Sequence, residues 1–569
     1  MQGLPAVERL RICLVSPYAL QKPLEALGHE VLALHPKPGI LDIAAELARK
    51  RFAPDLLVQV ETLGPRVVLT GLPALRCPRL FWSVDTHLNL FWHRHYIRLF
   101  DGALTTQPHL VEELTAQGVP AFWLPWHGLE RAWKPWDSRD LGVHFIGRMT
   151  EHRPARTWMI QHLTARFNAS HHADLPYADM LATYERARIA PNEAICGEIN
   201  FRLFETASCG CAVVTPDTDP GLAELFAPER EMLVFSDVLE LDERIGFLLR
   251  NPTKAERMAR AGWERVQACH LPQHRAARLL ELAAGLPART REPGRDEEAM
   301  VLTLHTLVRD GILNLRTDML NALLAPLEQT PAVLQARFQL AAEHLGPAAV
   351  RALAGIVLTK VGAVEPEVLC AGSMAAEFLG EHELALSLWH RRLLDMGKQD
   401  AARLPKSPDP AGLAKAWAAE LTRLGHCMEP GFRFALERHT PSTAHHCLLL
   451  ALKHDVRDLE ATRNLEMLLG RERGTEASRL SLLSHLCLHQ PRDWRLGLRL
   501  ALLNLKVHRH GPGLEELCAA QAAARSQGSE DRFLRMLAGL DSSGRALKLL
   551  LAAQAAGSRE LQGNKADCF

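Results

Sequence analysis

From residue 11 to residue 270 short apolar runs alternate with stretches of helical spacing. The runs RICLVS (11–16), HEVLALH (29–35), DLLVQV (55–60), RLFWSV (79–84), GALTTQ (102–107) and AFWLPW (121–126) predict strands. Between several of them, residues 41–51, 88–100 and 108–117 place apolar side chains at helical intervals. After Lys134-Pro135-Trp136-Asp137 the alternation restarts with GVHFIG (142–147), RARIAPN (186–192), AVVTP (212–216) and MLVFS (232–236). Strands separated by helices predict parallel sheets covered on both faces. The pattern therefore predicts two doubly wound, Rossmann-like α/β domains.

Helical spacing then takes over, at 239–249, 254–268 and 273–284. The stretch GLPARTREPGRDEEAM (285–300) reads as a linker, rich in Pro, Gly and charge. Beyond it, 301–557 is Leu- and Ala-rich with helical spacing and hardly a strand candidate. The expected domains are 1–127, 128–284 and, after the linker at 285–300, an all-α, helical-repeat-like region at 301–569. One unit, AAEFLGEHELALSLWHRRLL (375–394), resembles a tetratricopeptide hairpin: Gly380 separates two helices, Ala385 allows close approach and Trp389 fills a groove. Pro491 and Trp494 hint at a second unit, but no 34-residue period runs through the region. An irregular helical domain stands beside the repeat reading.

Composition narrows the function classes. Lys+Arg and Asp+Glu both total 66, which argues against a nucleic-acid protein held by bulk positive charge. No apolar run approaches the length of a membrane span, and MQGLPAVERLRICLVSPY lacks a signal peptide's apolar core. Among the 12 cysteines none form CxxC. Cys209 and Cys211 lie close, but no further metal ligands surround them, so buried reduced thiols and a cytoplasmic location are expected.

Chemistry concentrates in NFRLFETASCGCAVVTPDTDPGLAELF (200–226). Phe201, Phe204, Ala207 and Ser208 share one helical face, and Gly210 can take the left-handed conformation that stops a helix. AVVT then suits a buried parallel strand. Ligands of doubly wound sheets sit outside the carboxyl ends of strands, near helix N-termini. Glu205 could there accept two hydroxyl hydrogens from a ribose, kept ionised by the helix dipole. A structural first-turn acid is the alternative.

FETASCGCAVVTP resembles the donor-site signature of GT-B fold glycosyltransferases. VHFIGRMTEHRP (143–154) looks like the first strand and glycine turn of their donor domain, and 221–266 looks like the segment that ends it. Asn200, Arg202, Phe204 and Glu205 match the N-x-R-x-F-E pattern of the spore-maturation-protein-B-like branch, which FWSVDTHLN (81–89) and 105–125 also resemble. The resemblance covers about residues 11 to 280. It implies that Glu205 holds the donor ribose, while the Gly147 backbone and Arg148 or Arg153 meet the diphosphate. Arg202 is a second phosphate candidate, with a surface pair to Glu198 as its alternative. Asp85 and His87, at a strand's carboxyl end facing the expected interdomain cleft, are the candidate catalytic bases; Asp85 could instead cap the next helix. His127 reads as structural before it reads as functional. No Asp-x-Asp appears where a metal would be expected, so neither metal nor other cofactor is implied. Two departures stand out: Gly197 occupies the position of a second family Glu, with Glu198 one residue late, and SPYALQKP (16–23) replaces a glycine-rich turn.

The implied function is sugar transfer from a nucleotide-activated donor to an acceptor, a protein or glycan, with the helical region engaging a protein partner. The alternative is a non-catalytic nucleotide-sugar fold serving as a scaffold. A nucleotide-sugar epimerase is a third reading, less compatible with a helical extension.

Overall fold

The computed structural model describes residues 9–61, 64, 66–287, 292–396 and 409–566. The first sheet uses β1 (Arg11–Val15), β2 (Glu30–Leu34), β4 (Leu56–Val60), β6 (Arg79–Ser83), β7 (Gly102–Thr105) and β8 (Ala121–Trp123). All are parallel, in the order β2-β1-β4-β6-β7-β8. β3 (Gly39–Asp42) and β5 (Val67–Thr70) form a separate two-stranded parallel ribbon. The second sheet is built from β9 (Leu141–Ile146), β10 (Ser170–His172), β11 (Ala187–Pro191), β12 (Ala212–Pro216) and β13 (Leu233–Phe235). Its order is β10-β9-β11-β12-β13, again parallel.

Every run predicted as a strand forms one. β4, β6 and β7 are buried along their whole length, as expected where helices cover both faces. β3, β5 and β10 were not foreseen. β3 alternates half-buried and exposed positions and runs straight into a helix, and β10 is the polar trio Ser-His-His. Neither carries the apolar run that marks a central strand.

The chain divides into two compact units, Met1–Pro125 with Pro272–Ala461, and Trp126–Leu271 with Thr462–Phe569. The α-helical region expected at 301–569 is thus shared between the two units. The stretch expected as a linker at 285–300 already contains the start of helix Pro293–Arg309, with Asp296 and Ala299 buried.

In the first unit, helix Pro272–Ala284 packs on helix Gln21–Ala26, and Arg275 Nε donates to the Pro125 carbonyl at 2.9 Å. Helix Pro293–Arg309 lies against helix Thr86–Tyr96, so that Trp92 and Tyr96 share a core with Leu302, Leu307 and Leu320. Each such side chain contributes about 1.5–3 kcal/mol when fully buried. Within the expected hairpin, helices Pro366–Phe378 and His382–Asp395 flank Gly380 at φ +75°, and Ala385 and Trp389 are buried.

In the second unit, helix Val238–Arg250 is covered by the C-terminal helices. Val238 joins a core with Trp494, Phe533 and Leu550. Arg545 pairs with Glu240 at 2.9 Å and with Glu243 at 2.8 Å. Apolar surface on both α/β domains is thus completed by helices far away in sequence.

Candidate functional site

In the second sheet the strand order reverses between β9 and β11, and the crevice outside the carboxyl ends at such a point is where doubly wound folds bind ligands. Gly147 and Arg148 follow β9, and Asn192 and Glu193 follow β11. Helix Phe201–Ser208 starts at the same edge. Its cap is Asn200, whose Oδ1 accepts from the Leu203 amide at 3.2 Å while Nδ2 donates to the Glu193 carbonyl at 2.8 Å. The helix stops as expected, with Gly210 at φ +72°. A Cβ there would also lie 2.7 Å from Arg139 Nη2 and 2.9 Å from the Trp133 ring.

Arg202 does not run out to a solvated pair with Glu198. Its Nη1 donates to Asn192 Oδ1 at 3.3 Å and to the Glu193 carbonyl at 3.2 Å, and its guanidinium lies 4.7 Å from the centre of the Phe145 ring. The Gly147 backbone sits against this plane: a Cβ would meet Arg202 Nη2 and the Phe145 ring, both at 3.0 Å. His171 Nε2 donates to the Gly147 carbonyl at 2.8 Å. Gly147 and Arg202 therefore form one surface at the strand end, and a side chain at 147 would have to displace the Arg202 tip or the Phe145 ring by a few tenths of an ångström.

Glu205, the fifth residue of its helix, is buried. Burial pushes its carboxyl up to about 7, opposed by the Arg202 charge and a hydrogen bond from Tyr177. The helix dipole expected to keep it ionised is outweighed by desolvation, because the side chain stands past the first turn. Glu198 is half-buried, accepts from the Ile195 amide at 3.4 Å, and is likewise pushed up to about 7 by burial, against the charge of Arg153. Arg153 occupies the N-cap position of helix Pro154–Phe167. Arg148 turns outward to an exposed pair with Asp174.

Sequence reasoning missed the pair that ties the two loops together. Arg156 Nη2 and Nε reach Glu193 Oε2 at 2.6 and 2.8 Å, both side chains buried, and Arg156 Nη1 donates to the Arg148 carbonyl at 3.1 Å. Only their opposite charges are visible in the sequence; the pairing depends on β9 and β11 being neighbours. Cys209 and Cys211 are buried free thiols, as expected. His127 is buried too, its Nδ1 2.8 Å from the Gly128 carbonyl and its ring edge-on to Phe201.

The first unit holds Asp85 and His87 just beyond β6. Asp85 stands at the N-cap of helix Thr86–Tyr96, but its side chain accepts no helix amide, so the capping role weighed for it is not seen. Its turn is fixed by buried Glu61, whose Oε2 accepts from the Val84 and Asp85 amides at 3.1 and 3.4 Å. Glu61 Oε1 in turn lies 3.2 Å from His93 Nε2, and His93 Nδ1 lies 2.9 Å from Ser83 Oγ. His87 is buried in the first helical turn. The next turn borders a cavity of about 850 Å³, walled by Leu88, Asn89 and Phe91, by Ile40 of β3, and by Leu313 and Arg433 of the helical segment. Gly431, at φ +86°, lets that segment dock: a Cβ would fall 1.7 Å from the Leu88 carbonyl oxygen.

Residues 130–281 match a family described as "Glycosyl transferase-like". No curated protein matches the chain. Among solved structures, similar chains include sucrose-phosphate synthase (tll1590) from Thermosynechococcus elongatus, at 14% identity, 48% of this chain, 98% of that one and a TM-score of 0.36. A glycosyltransferase from Rickettsia africae ESF-5 is 9% identical over 50% of this chain and 100% of that one, with a TM-score of 0.39. Anabaena Alr3699/HepE, solved in complex with UDP-glucose, is 12% identical over 49% and 100%, with a TM-score of 0.36.

Proposed function

We propose that the glycosyl transferase-like domain at 130–281 binds a nucleotide-activated sugar and transfers the sugar to an acceptor hydroxyl, in the manner of GT-B enzymes and without a metal. The observation that carries this reading is the grouping of Gly147, Arg202 and Glu205 at the switch point of the second sheet, inside the matched segment. Glu205 takes the ribose hydroxyls; their hydrogen bonds favour its carboxylate form and so offset the burial that favours the acid. Arg202 and the backbone beyond Gly147 face the diphosphate, with Arg153 a further cation and Arg148 a peripheral one.

In the transfer, the bond from the anomeric carbon to the diphosphate oxygen breaks and its electron pair leaves on that oxygen. Fixed cations and amide dipoles stabilise this charge in place of a metal. The acceptor oxygen bonds to the anomeric carbon, and its proton passes to a general base, for which Asp85 and His87 are the candidates. The cavity beside the Asp85 helix supports a polypeptide or glycan acceptor held jointly by the first domain and the helical segment. A protein partner on the helical surface and a reducing, cytoplasmic setting complete the proposal. The free thiols of the described cysteines fit that setting, and no described helix is long and apolar enough to cross a membrane.

Calorimetric titration with UDP- and GDP-sugars tests the donor assignment. The expected outcome is saturable binding of one donor, weakened at least tenfold in Glu205→Ala, since hydrogen bonds to a charged group contribute about 1.5–3 kcal/mol. Binding of no donor by the wild-type chain would leave the scaffold reading instead.

A further inference from the structure

The helical segment of the second unit reaches the loops that frame the proposed donor crevice. Between helices Leu459–Leu469 and Glu476–His489 lies the turn GRERGT (470–475). The turn is held from within: Thr475 Oγ1 donates to the Leu469 carbonyl at 2.6 Å, and Arg479 pairs with buried Glu466 at 2.9 Å. Arg473 projects from it. Its Nη1 donates to the Thr218 carbonyl at 2.6 Å and lies 3.6 Å from buried Asp219, in the loop after β12. Its side chain also crosses Gly197, where a Cβ would fall 2.8 Å from Nη1. Beside it Gly474, at φ +76°, is pressed so close to Cys196 that a Cβ would sit 2.7 Å from the Cys196 amide nitrogen.

The contacted loops matter because of what they hold. Residues 193–199 lead from β11 to the Asn200 cap, and the Glu193 carbonyl in them accepts from both Asn200 and Arg202. Cys196 and Gly197 are both left-handed, at φ +52° and +71°. For Cys196 that conformation persists only where neighbours impose it. Asp219 in turn organises its own loop, accepting from the Gly221 amide at 2.8 Å. One guanidinium thus spans the loops that follow two adjacent strands.

We propose that Arg473 is a positioning residue for donor binding, and that the 470–475 turn holds the loops after β11 and β12 in the shape that presents Arg202 and Glu205. The inference rests on the donor reading above. It makes the helical segment a structural part of the donor site, so a partner that displaced this turn would lower donor affinity without touching the nucleotide.

The test uses the full chain with Arg473→Ala, Arg473→Lys and, as a second perturbation of the turn, Gly474→Ala. Two readouts are taken: nucleotide affinity by calorimetry with UDP and GDP, and amide hydrogen exchange across residues 141–221. Arg473→Ala is expected to weaken nucleotide binding roughly two- to thirtyfold, the range for residues that act through others. Exchange should accelerate at 193–199 and 217–221 and stay unchanged in β9 and β11. Arg473→Lys should recover part of the affinity, since it keeps the charge beside Asp219, and Gly474→Ala should reproduce the loss. Unchanged affinity in Arg473→Ala, or faster exchange spread evenly through the domain, would overturn the proposal. Should the wild-type chain bind no nucleotide, the donor reading fails, while loop exchange still decides whether Arg473 holds the two loops.

Discussion

Glu205 couples the proposed chemistry to stability. Burial raises its carboxyl to about 7, against about 4.3 in an unfolded chain, so between these values the folded protein binds more protons than the unfolded one. Stability contributed by this group therefore falls as pH rises from about 4.3, and the loss is complete above about 7. Glu205→Gln removes the penalty. Its melting temperature should match wild type near pH 4 and exceed it increasingly towards pH 8, while donor affinity is lost. If Glu205 takes the ribose as proposed, wild-type donor binding should strengthen as pH climbs through 7, because that contact needs the carboxylate as acceptor. Scanning calorimetry and titration at pH 5, 6, 7 and 8 check both slopes; a stability gap that shrinks with pH would refute the assigned environment.

Helix Phe201–Ser208 is short, and propensity alone does not hold eight residues helical. Its C-terminal end is clamped by buried Arg139, which donates to the Cys209 carbonyl at 2.9 Å, to the Ala187 carbonyl at 2.7 Å and to that of Tyr184 at 3.4 Å. The guanidinium lies 5.4 and 5.7 Å from the Trp133 and Trp136 rings, and Gly210 leaves room for it. Arg139 thus joins the helix carrying Arg202 and Glu205 to the start of β11. Arg139→Ala leaves buried carbonyls without their donor and opens a cavity, at a cost of about 3 kcal/mol or more. The expected result in chemical denaturation is a lower midpoint with unchanged slope, together with weaker donor binding. The stop at Gly210 was legible in the sequence, since it acts within its own turn, whereas the Asn200 cap was not read there. Nor was Arg139: its partners lie 45 to 70 residues away.

Across the molecule, the helical region is divided between the two units rather than appended to them. Residues from Thr462 onward cover helix Val238–Arg250 and supply Arg473, so they belong to the fold of the second unit. A chain ended at residue 461 should expose Val238 and leave Asp219 without Arg473. It is expected to lose cooperative thermal unfolding in the second α/β domain. If the shortened chain melted at the wild-type temperature with donor affinity intact, the C-terminal helices would be an accessory after all. The same division explains why the stretch at 285–300 is no simple tether: its latter part is a helix whose apolar face lies on helix Thr86–Tyr96.

Local pattern alone determined every strand of the two sheets except β10, and the helix that ends at Gly210, while the family resemblance pointed to Gly147, Arg202 and Glu205. Periodicity and left-handed glycines act over a few residues, and a sequence displays them directly. Tertiary structure alone decided that Arg202 lies on Phe145 against Gly147 and that Arg156 meets Glu193. It also decided that Glu205 sits dry enough to hold its proton near neutrality, and that a turn at 470–475 closes over the loops at 196 and 218. Those outcomes depend on which faces meet across the fold, and the spacing of residues along one chain carries no record of the distance between two of its segments in space.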